Sequence, residues 1–152
     1  SSQLATPRRA VVGWDSGRLA MILAVLESRC GLSFSGNEVY LNVAGGLRIG
    51  EPAADLAVAV ALTSSVTGIA LPADTVVFGE ISLSGEIRSV SQTDTRLKEA
   101  TKLGFGSALV PTRRGNSQKS VSKMNLREIS GLWDMVQMFE QDRDCTILAV
   151  NA

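Results

Sequence analysis

The segment from Pro52 to Val66 constrains the fold most: PAADLAVAVALTSSV is an Ala/Val/Leu run of helical length. Proline near the first turn removes an N–H that a helix start leaves unbonded anyway, and Gly68 lies just beyond the end. A run this apolar reads as a buried helix, and its small side chains let it pack closely on a sheet. The chain of 152 residues is long enough for one ordinary domain built around it.

The rest of the chain supplies layers for that helix. Leu19, Ile22, Leu23 and Leu26 recur at helical spacing between Arg18 and Arg29, with Asp15 or Ser16 as the cap and Gly31 as the stop. Glu38 to Ala44 alternates as a strand does, and Gly45, Gly46 and Gly50 punctuate the connection that follows. Thr75 to Gly79 reads as a short apolar strand, ISLSGEIRSV as two arms around Ser84-Gly85, and Thr93 to Leu103 as an amphipathic helix. Ser107 to Val110 is a strand closed by Pro111, Asn125 to Ile129 another, and Leu132 to Phe139 a helix. The tail from Gln141 to Ala152 ends in TILAV, which reads as an edge strand or a strand paired with a neighbour. Strict βαβ alternation is absent, so an α+β fold is favoured over a doubly wound sheet. Residues 1 to 8 read as a polar linker or arm, and residues 9 to 152 as the domain; Arg8 and Arg9 are then junction charges. The chain begins Ser1-Ser2 rather than with Met, as an excised fragment does.

Composition excludes several chemistries. With no His, the chain has no Ser-His-Asp or Cys-His pair of its own, no HExxH zinc site and no imidazole acid/base. Cys30 and Cys145 form no CxxC, which leaves two indifferent thiols or a disulfide between them. The 15 basic residues balance the 15 acidic ones, so any nucleic-acid contact must come from a local patch. No apolar run approaches the ~20 residues that span a bilayer, and a cytoplasmic location is expected with no membrane partner.

The stretches YLNVAGGLRIGEPAADLAVAVAL and LPADTVVFGEISLSGEIRSVSQTDTRLKEATKLGFGSALVP, with RRAVVGWDSGRLAMILAVLESRCG upstream, carry a specific resemblance. Over about residues 8 to 111 the chain resembles the C-terminal Lon-protease-like domain of the bacterial RadA (Sms) family of DNA-repair ATPases. The resemblance implies the α+β, ribosomal protein S5 domain 2-like fold. It also implies a parent protein with a zinc finger and a RecA-like ATPase, so that ATP, Mg and Zn belong to other modules and no cofactor to this one. The one GxxxxG, Gly45 to Gly50, runs into Glu51-Pro52 instead of Gly-Lys-Ser/Thr and reads as a glycine-rich connection rather than a P-loop.

Lon peptidases place a nucleophilic Ser after the glycine-rich loop in a Gly-Pro-Ser-Ala-Gly setting, where a helix N-terminus stabilises developing negative charge. Here the matching residues are Glu51-Pro52-Ala53-Ala54-Asp55, so Ala53 stands in place of the nucleophile. The position of the dyad lysine is held by Asp94, with Lys98 one helical turn further on. Thr63 and Ser64 are the nearest hydroxyls along the helix, about ten residues or roughly 15 Å from Ala53. No Ser-Lys dyad is intact, and a catalytically inactive domain is expected. Asp55 reads as a charge complementing the helix dipole, or as an intersubunit or structural contact.

Two uses remain. The resemblance implies a ring-shaped homo-oligomer, a hexamer, in which the domain is a scaffold. The sequence itself offers a DNA surface: Arg113, Arg114, Lys119, Lys123 and Arg127 carry no Asp or Glu among them, and Arg48 sits in the glycine-rich loop. Without an aromatic residue, the basic run suits backbone contact with single-stranded or branched DNA better than base stacking, and a solvated loop is its plainer reading. Against it, Asp134, Glu140, Asp142 and Asp144 outnumber Arg143 toward the C-terminus. The alternatives are a structural collar without DNA affinity and an active peptidase using a displaced Ser or Thr with Lys98.

Overall fold

The computed structural model describes residues 7–113 and 124–150, with the side chains of 142–150 left aside. It opens with strand β1 (Arg9–Val12), helix α1 (Ser16–Cys30), strand β2 (Val39–Asn42) and helix α2 (Asp55–Thr67). Strands β3 (Thr75–Val77), β4 (Glu80–Ile81) and β5 (Ile87–Arg88) follow, then helix α3 (Thr93–Lys102), strands β6 (Ser107–Pro111) and β7 (Asn125–Ile129), and helix α4 (Leu132–Val150).

Local signals explain several of these elements. Asp15 caps α1, its Oδ1 accepting the Arg18 N–H at 2.7 Å, and Gly31 ends the helix in the left-handed conformation. Leu19, Ile22, Leu23 and Leu26 are all buried, so the expected stripe faces the core. Gly68 likewise ends α2 with positive φ.

Two features depart from the sequence reading. The sequence reads Arg8-Arg9 as junction charge, but Arg9 begins β1, which pairs in parallel with β2. Its guanidinium donates to the carbonyls of Phe34, at 3.0 Å, and Asn37, tying the segment after α1 to the sheet. The TILAV tail, expected as a strand, is the end of α4. No Gly or Pro interrupts the chain between Leu132 and Val150, so the helical ladder continues through residues that in isolation favour strand. Cys30 follows the first of the two cysteine readings: it is a buried free thiol, and burial pushes its pKa up.

The strands fall into three small sheets: β1-β2 parallel, β3-β6-β7 parallel, and β4-β5 antiparallel. The main core lies where α1, α2 and α4 pack together, around Ile22, Leu26, Leu56, Ala59, Met135 and Phe139. A second, smaller core joins α3 to the three-stranded sheet through Phe78, Leu97, Ala100, Ala108 and Val110. Among the described residues no helix is long and apolar enough to cross a membrane.

Candidate functional site

The helix start that would carry a peptidase nucleophile is built as a joint. A short 3-10 turn, Pro52–Ala54, leads into α2, and Ala53 within it is buried. Its carbonyl accepts the Gly79 N–H at 2.9 Å, and the Leu56 N–H returns to the Gly79 carbonyl at 3.0 Å. The Ala54 N–H bonds to the Glu51 carbonyl, and the Asp55 N–H to that of Pro52. The amides of Ala54, Asp55 and Leu56 are therefore engaged, and none of these three is left to receive an oxyanion.

Gly79 is required by this closeness. A Cβ there would lie 3.1–3.2 Å from side-chain atoms of Ile87, Leu56 and Pro111. Next to it, Asp55 is fully buried and takes a fork from Arg18: Nε donates to Oδ1 at 2.8 Å and Nη2 to Oδ2. The Ile81 N–H also donates to Oδ2 at 3.1 Å, so one carboxylate binds the starts of α1 and α2 to β4. Its hydrogen bond to Arg18 raises the pKa of that guanidinium. Asp55 stands in the first turn of α2, where its charge also complements the dipole, but its partners are within this chain.

Asp94 and Lys98 belong to α3. Asp94 is 60% exposed in the first turn of α3 and lines a cleft of about 1310 Å³ with Arg88, Thr93, Thr112 and Arg113; Ala53 is not among the lining residues. Lys98 is exposed. The side chain that α3 sends to the residues before α2 is Arg96, whose Nη1 and Nη2 donate to the two Glu51 oxygens at 3.1 and 2.7 Å. Arg96 also lies over the Phe78 ring, 5.9 Å from its centre. The buried hydroxyl of Thr63 donates to the Ala59 carbonyl at 2.8 Å and is not a free nucleophile. Among the described residues no hydrogen bond or ion pair joins Ala53 to Asp94 or Lys98.

The basic run divides in the structure. Arg114, Lys119 and Lys123 lie outside the described residues. Arg113, expected as a free phosphate ligand, is only 19% exposed; its Nε donates to Glu128 Oε1 at 2.7 Å, and Nη1 lies 4.0 Å from Asp94 Oδ1. A carboxylate occupies the Nε side of its fork, while the buried Nη1 has no hydrogen-bond partner among the described residues. The sequence signal for this was Glu128 itself, one residue beyond the run, which parallel pairing of β6 with β7 brings opposite Val110. Arg127 on β7 and Arg48 in the glycine-rich connection are exposed, and neither forms an ion pair with a described residue. Among the described residues no three His, Cys, Asp or Glu side chains group as a metal site.

By its sequence, this domain of mixed helices and strands falls within a known family. The family described as subunit ChlI of Mg-chelatase matches residues 15–114, and the chain belongs to it. Its relatives include proteins named DNA repair protein RadA. The one from Brucella abortus is 64% identical over 135 residues, covering 89% of this chain and 29% of the relative. That of Rickettsia prowazekii is 58% identical over 71% of this chain and 24% of its own length, and that of Aquifex aeolicus 53% identical over 70% and 24%. The chain thus spans less than a third of the length of these relatives.

Proposed function

We propose that the chain is a catalytically inactive Lon-like domain, of S5 domain 2-like fold, within a RadA-type DNA-repair ATPase. In that role it serves as a ring-forming scaffold and an auxiliary DNA surface. One observation carries the inactive part: the residue in the nucleophile's place is Ala53, its carbonyl bonded to Gly79 and the following amides engaged. A methyl group cannot attack a carbonyl, and with the amides of Ala54, Asp55 and Leu56 engaged the helix start has few donors to offer an oxyanion. The DNA-repair context is supported by the relatives' name alone.

For the DNA surface, the support lies in exposed Arg48 and Arg127 and in the composition of the run from Arg114 to Lys123; paired Arg113 contributes less. Fluorescence anisotropy with single-stranded DNA over a salt series tests it. Affinity falling steeply with salt, and weakening on Arg127→Glu and Arg48→Glu, is expected. Binding indifferent to salt or to both reversals overturns the DNA role. Incubation with an unfolded protein substrate tests the inactive role; cleavage that disappears on Lys98→Ala would restore the peptidase reading.

A further inference from the structure

The small β1-β2 sheet is open along the outer edge of β2. In the parallel register that sets Arg9 opposite Val39, the Val39 N–H donates to the Arg8 carbonyl and the Val43 N–H to that of Val12, both at 2.9 Å. Parallel pairing uses alternate residues, so the backbone groups of Glu38, Tyr40 and Asn42 point away from β1. Among the described residues no strand pairs with them. A cleft of about 880 Å³ runs along this edge, with Ala61, Ser65 and Val66 of α2 as its far wall. Tyr40 is 62% exposed and Val66 45%, so the cleft presents apolar surface beside unpaired amides. Such an edge is a template for another strand.

We propose that the occupant is a second copy of this chain, its β2 antiparallel to the first about a twofold axis at Tyr40. The edge is complementary to itself in that register. Glu38, Tyr40 and Asn42 meet Asn42, Tyr40 and Glu38 of the partner strand, so every outward N–H and C=O gains a bond. Each Glu38 carboxylate then faces an amide. Centred on Glu38 instead, the pairing would set two carboxylates opposite each other, which is unfavourable. The Tyr40 hydroxyl donates to Glu38 Oε2 of its own chain at 2.9 Å, which lays the ring along the strand beside its twin. Small Ala61 and Ser65 leave room for the second strand, about 4.8 Å away from the first. The formal net charge of zero adds no overall repulsion. This contact goes beyond the proposed function: a ring is closed by heterologous contacts, whereas this one joins identical surfaces.

Sedimentation equilibrium of the chain across micromolar concentrations tests the contact. A dimer is expected that Tyr40→Lys weakens ~tenfold or more, since it sets two ammonium groups at the axis. Tyr40→Pro removes an N–H that β1 does not use, and is expected to abolish the dimer while circular dichroism reports an unchanged fold. Should either variant fail to fold, Tyr40→Cys decides: paired Cα atoms about 5.5 Å apart are within disulfide range, so oxidation yields a covalent dimer. Val12→Cys, equally exposed but on β1, and the unaltered chain do not cross-link there. A monomer at every concentration overturns the proposal, as does a dimer or larger assembly that the Tyr40 variants leave intact.

Discussion

The starts of α2 and α3, the two places that the proposed Lon-like reading sets against a peptidase dyad, are built in opposite ways. At α2 the amides of Ala54, Asp55 and Leu56 are engaged, Ala53 is buried and Asp55 has no exposure at all. At α3 the preceding Gln92 takes a left-handed conformation with no side-chain cap, Asp94 stands 60% exposed, and the cleft before it is open. One start is a structural joint and the other a surface. A carboxylate in an expected catalytic position therefore says little until its surroundings are known.

The largest effect that would separate the two is the loss of Asp55. Asp55→Ala strands the Arg18 guanidinium and the Ile81 N–H, and breaking such a pair costs about 3 kcal/mol, the lower end of the range because Arg18 keeps 31% exposure. Asp94→Ala should change stability by less than about 0.5 kcal/mol, as exposed substitutions do. Urea unfolding of the two variants measures the contrast; similar losses would erase it. Gly79→Ala comes next: the added methyl presses on Ile87, Leu56 and Pro111, and overpacking of this kind costs about 1–2 kcal/mol.

The joint was only half legible in the sequence. The cap at Asp15, the stop at Gly31 and the helix after Pro52 follow from local rules, and all three stand where those rules put them. Asp55 was visible as a first-turn acid, but its partner Arg18 lies 37 residues away and becomes its neighbour only when α1 packs on α2. Periodicity carries no record of such contacts. β1 escaped notice because four residues containing Arg9 lack a clear alternation, and its pairing with β2 is what makes it a strand. The end of α4 differs from its local pattern for the converse reason: its β-branched residues suggest a strand, and an uninterrupted ladder from α4 decides otherwise. The S5-like assignment came from motif resemblance and not from these local patterns.

Arg113 gives a smaller test of the same contrast, now on the α3 side. Arg113→Ala removes a charge-assisted bond to Glu128 from a residue 19% exposed, and should cost about 1 kcal/mol, against near zero for Lys98→Ala. If Arg113→Ala is instead neutral for stability and weakens DNA binding as much as Arg127→Glu, the guanidinium is available to phosphates after all.

The smallest effect lies in the link between the two starts, the Glu51–Arg96 pair. The Arg96 hydrogen bond holds the Glu51 carboxyl below its ordinary value, against a weaker opposing pull from burial. A carboxyl depressed in the folded state contributes its full stability above the ordinary carboxylate range, near pH 4.3, and loses it as pH falls through the folded value. With Glu51 54% and Arg96 28% exposed, solvent screening leaves only about 0.3 kcal/mol. Glu51→Gln should therefore flatten the acid limb of the stability profile slightly and leave neutral pH almost unchanged. Raising salt to about 1 M, where screening acts within roughly 3 Å, should shrink the difference between the two proteins. A large loss at neutral pH on Glu51→Gln would mean that this exposed pair shares the structural role of Asp55, and the two helix starts would then form one continuous joint.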